Sequence, residues 1–229
     1  MAEFINTIDV LGDDAVIDSI INGTITEFHD DQLEIIGRSA FQYCVSLASI
    51  KLPNVKTIDD SGFADCTSLE AIDLPSVTQL KDGAFARCTN VRYVNVPALE
   101  KAVTCFQRCE KVEKLVFPNL IDARGSIFDF CYALKIVDLH KAENAFVGQY
   151  VSSLKAIIIR TPTVCAHPSG YMEGNVPFVN GTCFIYVPRD LVESYKVATN
   201  WSKYPNQFRA LEDYTVDGTT TGAFDESKI

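Results

Sequence analysis

Residues 36–53 read I-G-R-S-A-F-Q-Y-C-V-S-L-A-S-I-K-L-P, and the phrase returns along the chain with an almost constant beat. Phe41, Phe63, Phe85, Phe106 and Phe128 follow one another at intervals of 22, 22, 21 and 22 residues. Three residues after each comes a cysteine: Cys44, Cys66, Cys88, Cys109 and Cys131. Three further on stands an aliphatic residue: Leu47, Leu69, Val91, Val112 and Leu134. Then L-x-x-I-x-L-P follows, as in Leu69, Ile72, Leu74 and Pro75. Self-similarity at a fixed period of this length, with apolar residues locked in phase, marks a solenoid of stacked coils.

One such repeat cannot bury its own apolar face and depends on a coil above and a coil below. The first, fourth and sixth residues of L-x-x-I-x-L point inward from a short extended strand, with the residues between them facing out. Pro53, Pro75, Pro97 and Pro118 end these strands, because proline has no N–H to continue a ladder. A second apolar position follows (Ile58, Leu80, Ala102, Ala123) and leads into a turn, or a single helical turn, that drops Phe and Cys into the core from the opposite side. The expected architecture is a β-rich α/β solenoid of stacked parallel strands with about 22 residues per coil.

The phased cysteines read as a column of buried thiols, since free cysteine packs as a small hydrophobe. Replacing Cys88 by serine is expected to cost about 1–3 kcal/mol, because a buried hydroxyl needs a partner. The chain has eight cysteines, the others being Cys105, Cys165 and Cys183. Cys105 and Cys109 form a lone C-x-x-x-C without the second pair that a zinc site requires. A disulfide framework is not expected at this length and cysteine density.

The phrase from Ile36 to Pro53 resembles the BspA-like, or Treponema-type, leucine-rich repeat, and the resemblance runs from about Ile35 to Ile159. It implies a right-handed leucine-rich-repeat stack that binds proteins or carbohydrates at surfaces and carries no catalytic residues. A sixth unit is eroded: Phe146 lies 18 residues after Phe128, its cysteine is missing, and Leu154, Ile157 and Ile159 are followed by Arg160 in place of proline. A unit near the end of an array meets a different neighbour and drifts. The segment from Ile185 to Trp201 is similar to a tail module that follows such repeats in gut-bacterial proteins, some of them prophage-encoded with a similar acidic tail.

The expected organisation is an N-terminal cap over 1–34, repeats over 35–160, a C-terminal cap over 161–214 and a polar tail over 215–229. In the first cap Ile20, Ile21, Ile25 and Phe28 suit a strand or a hairpin turning at Asn22 and Gly23. In the second, a loop-rich crossing with Pro162, Pro168 and Pro177 precedes a strand over Phe184–Val187 and a helix from about Asp190 to Thr199. Trp201, Tyr204, Phe208 and Leu211 add apolar surface for packing.

A formal charge of −10 leaves no basic surface for a nucleic-acid backbone and disfavours anionic membranes. No run of about 18 apolar residues exists, so membrane insertion is not expected. The first residues lack the basic start and apolar run of a secretory signal. Either a signal lies outside this chain and the protein is displayed at the cell surface, or the protein is cytoplasmic or virion-associated; eight unpaired cysteines favour the second.

Ligands of solenoids meet the outward residues of the strand ladder. Those in the middle and later repeats form the candidate ligand face: Arg92, Tyr93, Asn95, Lys114, Val116, Ile136 and Asp138. The outward positions grow apolar late in the array, through Val116, Ile136 and Ile158. Two accounts of this are open: the C-terminal cap folds over them, or they form an interface with a partner or a second copy. No catalytic residue, cofactor or metal is expected. His29, His140 and His167 are scattered outside any metal-ligand motif, Asp13/Asp14 and Asp59/Asp60 read as solvated loop charge, and neither a phosphate-binding glycine loop nor a nucleophile elbow is present. The Asn-x-Ser/Thr triplets at Asn22, Asn180 and Asn200 would matter only in a eukaryotic secretory pathway. The leading reading is a non-enzymatic module that binds protein or glycan through its ladder. The alternative is a structural part of a larger assembly, docking through the late ladder and the tail.

Overall fold

The L-x-x-I-x-L segments fold as the expected strands, and the apolar residues that follow each proline form strands of their own. The computed structural model describes residues 19–123, 125–145, 150–167 and 182–213. Phe146, Pro168, Pro177, Asn180, the Asp13/Asp14 pair, the first part of the N-terminal cap and the 215–229 tail lie outside the described residues. Two series of short parallel strands alternate along the chain. The main ladder runs through β1 (Glu27–His29), β3 (Ser49–Lys51), β5 (Ala71–Asp73), β7 (Tyr93–Asn95), β9 (Lys114–Phe117), β11 (Ile136–Leu139) and β13 (Ala156–Ile159), then β14 (Phe184–Val187) and β15 (Phe208–Ala210). Between them lie the two-residue strands β2 (Ile35–Ile36), β4 (Thr57–Ile58), β6 (Gln79–Leu80), β8 (Lys101–Ala102), β10 (Asp122–Ala123) and β12 (Asn144–Ala145), which pair in sequence as a second parallel ladder.

Register follows the repeat: Glu27 stands beside Ser49, Ala71 beside Tyr93, and Lys114 beside Ile136. Main-ladder strands pair as β1-β3, β5-β7 and β9-β11-β13-β14-β15, with β3 lying against β5 and β7 against β9. At about 4.8 Å per strand step, the nine strands rise by roughly 38 Å. The third side of each coil is a tight turn, so among the described residues the repeats contain no helix.

Each turn from Ser39 to Phe130 bends through two residues with positive φ. Tyr43, Asp65, Arg87, Arg108, Phe130 and Tyr150 hold one such position, with φ between 58 and 64°. A side chain there costs roughly 1–2 kcal/mol. The bend aims backbone N–H groups along the stack, so Phe41 donates to the Gly62 carbonyl at 2.8 Å and Tyr43 to the Ala64 carbonyl at 2.9 Å. These bonds repeat from coil to coil and offset the strain.

Inside, the phased phenylalanines stack. Ring centroids of Phe28, Phe41, Phe63, Phe85 and Phe106 are 4.6, 4.8, 5.3 and 6.0 Å apart in turn. All eight cysteines are free and buried, as a column of structural thiols requires. Each phased thiol also has a partner that packing alone would not supply. Cys66, Cys88, Cys109 and Cys131 donate to the carbonyls of Phe41, Phe63, Phe85 and Phe106, at 3.1–3.3 Å. A serine at 88 would therefore inherit an acceptor, and the cost expected for Cys88→Ser falls to about 1 kcal/mol.

Core volume is traded within a coil. A Cβ on Gly62 would stand 2.6 Å from Cγ2 of Ile58. As the second-ladder residue shrinks through Ile36, Ile58, Leu80, Ala102 and Ala123, the turn residue facing it runs Ala40, Gly62, Ala84, Cys105 and Ile127. Cys105 thus belongs to this packing series and fills space that Ala102 leaves. On the surface, ion pairs link successive coils at a spacing of 22 residues, including Arg38–Asp60 at 2.7 Å, Lys81–Asp59 at 2.5 Å and Lys135–Glu113 at 2.7 Å.

Three details sharpen the expectation. Of the strand or hairpin expected near Phe28, a strand forms: β1 lies parallel to β3 and continues the ladder, with the Phe28 ring tilted against Phe41. At the other end, β14 pairs in parallel with β13, and β15, which the repeat pattern does not reveal, pairs with β14. The helix α1 (Val192–Val197) is shorter than expected and enters through a 3-10 turn at Arg189–Leu191. It is fastened through Tyr195, whose hydroxyl accepts the Cys165 N–H at 2.8 Å, and through Trp201 beyond it, whose Nε1 donates to the Cys165 carbonyl at 2.7 Å.

Candidate functional site

The outward residues of the main ladder form two rows running across the strands. One row reads Glu27, Ser49, Ala71, Tyr93, Lys114 and Ile136; the other reads His29, Lys51, Asp73, Asn95, Val116 and Asp138. Over β1 to β5 these side chains are small or charged and exposed. At β7 the surface changes. Tyr93 stands 56% exposed on the outer face, and a groove of about 260 Å³ opens between β7 and β9.

Five of the seven candidate residues line this groove: Arg92, Tyr93, Asn95, Lys114 and Val116. Pro97 and Pro118 line it beyond the strand ends. The repeat pattern marks these prolines as strand terminators, and the same rings supply two flat apolar walls. Asn95 donates from Nδ2 to Asp73 Oδ1 at 2.8 Å, which fixes its amide and leaves its carbonyl oxygen as an acceptor. Arg92 is exposed and makes no side-chain hydrogen bond among the described residues.

Ile136 and Asp138 are not in the groove, and their expected exposure is corrected: they are 8% and 2% exposed. Their phase on the strand is the expected one; their surroundings differ. Ile136, Ala156, Ile158 and Tyr186 form a separate buried apolar cluster on the outer face, with Phe184 and Leu211 packed on its margin. Asp138 lies within reach of the next coil, where Arg160 donates to its Oδ1 and Oδ2 at 2.8–3.2 Å. His140 Nε2 stands 3.4 Å away from the same carboxylate. The late apolar ladder is thus covered within this chain, with side chains of the C-terminal segment as part of the covering.

The other histidines are far from this cluster in role. His29 sits exposed on β1, and His167 is buried with its ring edge-on to Trp201 at 4.6 Å. Burial pushes the thiols up in pKa: Cys44 to about 11, and Cys88, Cys131 and Cys165 to about 12. Low-pKa, accessible thiols are the reactive ones, so these belong to the inert, structural kind.

A second surface feature was missed by strand-based reasoning. In the column of positive-φ turn residues, Arg108 lies 4.6 Å over the Phe130 ring, and Phe130 stacks on Tyr150 at 4.5 Å. Asp65 and Arg87 pair in the same column at 2.6 Å. The signal was present in sequence, two residues after each phased phenylalanine, but nothing in the apolar pattern marks that position as outward.

The family model for the BspA type leucine rich repeat region matches residues 22–135 in six copies, so the solenoid over those residues is built of repeats of this type. Among solved structures, the chain is similar to a leucine-rich cell surface protein from Faecalibacterium prausnitzii A2-165, at 15% identity and a TM-score of 0.34, over 62% of this chain and 56% of that one. A leucine-rich repeat protein from Bacteroides ovatus ATCC 8483 is similar at 19% identity and a TM-score of 0.31, over 59% of this chain and 55% of that one. The chain spans little more than half the length of either. No curated protein matches it.

Proposed function

We propose that this chain is a non-enzymatic binding module that engages a protein or glycan through the central part of its main ladder. One observation carries the reading: Arg92, Tyr93, Asn95, Lys114 and Val116 gather around one open groove, while the ladder before it is small and flat and β11 and β13 beyond it are covered. The backbone beneath is closely flanked by neighbouring coils, so recognition here uses side chains. An exposed ring with a fixed amide and flanking cations offers apolar contact, acceptors and donors within one patch.

The alternative, a structural part of a larger assembly, needs a docking surface. Burial of Ile136 and Ile158 within this chain takes away the apolar late ladder as that surface. The test is solution mass by light scattering, for the full chain and for a chain ending at Tyr214. A monomer in both forms supports the binding module. An oligomer that dissociates on truncation overturns it in favour of assembly.

A further inference from the structure

We infer that the groove between β7 and β9 takes a single neutral hexopyranose unit of a glycan chain; this rests on the ladder-binding reading proposed above. The argument starts with size. At about 260 Å³ the groove falls just below the roughly 300–1,000 Å³ of sites that enclose drug-sized ligands. It admits one ring-sized unit, with the rest of a polymer passing over the flat strands on either side.

Chemistry then selects the unit. A pyranose has apolar C–H faces and a rim of hydroxyls that both donate and accept. The groove repeats that division. Tyr93, Val116 and the rings of Pro97 and Pro118 supply flat apolar contact, and Tyr93 is held out from the ladder with over half its surface exposed. The polar groups are of both kinds: the Asn95 carbonyl oxygen accepts, while Arg92 and Lys114 donate. Charge argues against an anionic unit. Asp73 holds the Asn95 amide, and Glu70 occupies on the preceding coil the position of Arg92, whose backbone N–H donates to the Glu70 carbonyl, so two carboxylates stand near the two cations.

The geometry also disfavours an extended peptide. A peptide gains most of its affinity on a sheet by pairing with a free strand edge. Here β7 is paired to β5 on one side, and on the other it lies packed against β9, too close for a further strand to enter between them. The groove ends at two prolines, which have no N–H to give.

The test uses the full chain against a printed array of neutral glycans, with a set of neutral and acidic octapeptides beside it. Bound glycans are followed by saturation-transfer NMR and calorimetry. The expected result is binding of at least one neutral glycan, with saturation strongest at the axial C–H protons of one hexose. Tyr93→Ala and Val116→Lys should each weaken it at least tenfold, while Tyr93→Phe and the distant Tyr132→Ala leave it within twofold. Circular dichroism and thermal melting of each variant separate lost binding from lost fold. Glycan binding indifferent to both groove variants overturns the inference. Peptide binding that those variants abolish, with no glycan bound, overturns the hexose but keeps the ladder as a binding face. No binding of either class overturns both readings.

Discussion

The early and late halves of the main ladder are built from the same repeat and end differently. From β1 to β7 the outward residues meet water, and the middle residue of each three-residue strand carries the core side chain: Phe28, Ile72 and Val94 point in while Glu27, Ala71 and Tyr93 point out. In β11 and β13 every strand residue is buried on both faces. The inner face is the same in both halves, with Leu52, Leu74, Phe117 and Leu139 all in the core. A repeat therefore fixes which side chains point out, and the neighbours present at that level decide whether outward means exposed. The groove lies at the boundary, where an exposed Tyr93 meets a half-buried Val116.

The largest break in this contrast should come from placing one charge on each half. Ile158→Asp buries an unpaired carboxylate on the late outer face and should cost about 3–5 kcal/mol in denaturant unfolding. Ala71→Asp, at an exposed outward position on β5, should change stability by less than about 0.5 kcal/mol. Equal effects would mean the late cluster is not dry.

Next in size are the coil-to-coil ion pairs. Asp138→Ala leaves Arg160 without its bidentate partner beneath the covering and should cost about 2–4 kcal/mol. Asp60→Ala, which breaks the exposed pair with Arg38, should cost under about 1 kcal/mol. Double-mutant cycles for the two pairs would measure the difference directly.

The thiol column runs through both halves and should respond to pH as one unit. Burial holds the folded pKa values above the 9.0 of an open chain, to about 11 at Cys44 and about 12 at Cys88, Cys131 and Cys165. A raised folded pKa means that the folded state keeps protons the unfolded chain releases. The stabilisation is whole below about pH 9 and is lost as pH rises from 9 towards 12. Within that window each fully buried thiol removes about 1.4 kcal/mol per pH unit. Urea midpoints at pH 8, 9.5 and 10.5 should fall progressively, and a chain with Cys88→Ala should show a shallower fall.

Smallest of all should be the effect of Tyr93→Ala on stability, under about 0.5 kcal/mol by thermal melting, since the ring is exposed. A loss of several kcal/mol would place Tyr93 in the core and undo the assignment of the outer face.

Much of the fold was legible because a period of 22 residues repeats the same physical demand. Phe41 to Phe128 and Cys44 to Cys131 announce a shared interior, and Pro53 to Pro118 announce where strands stop. Less legible were the pieces that carry the stack without the motif. β15 has no phased phenylalanine and no cysteine, and β14 reaches its place after a step of 28 residues, so no periodic search finds them. Tyr93, Asn95 and Lys114 could be named as outward from alternation alone, but the groove they share with Pro97 and Pro118 could not.

By itself, then, the sequence of this chain determined the coil, its period, its inner face and the phase of every repeat strand, because apolar residues at fixed spacing can be buried in only one way. Tertiary structure alone decided which outward residues stay outward. Val116, Ile136 and Ile158 occupy outward positions of the ladder and differ in what stands beside them, and that depends on how Tyr186, Phe184 and Leu211 are brought back onto the ladder by a segment that carries no repeat.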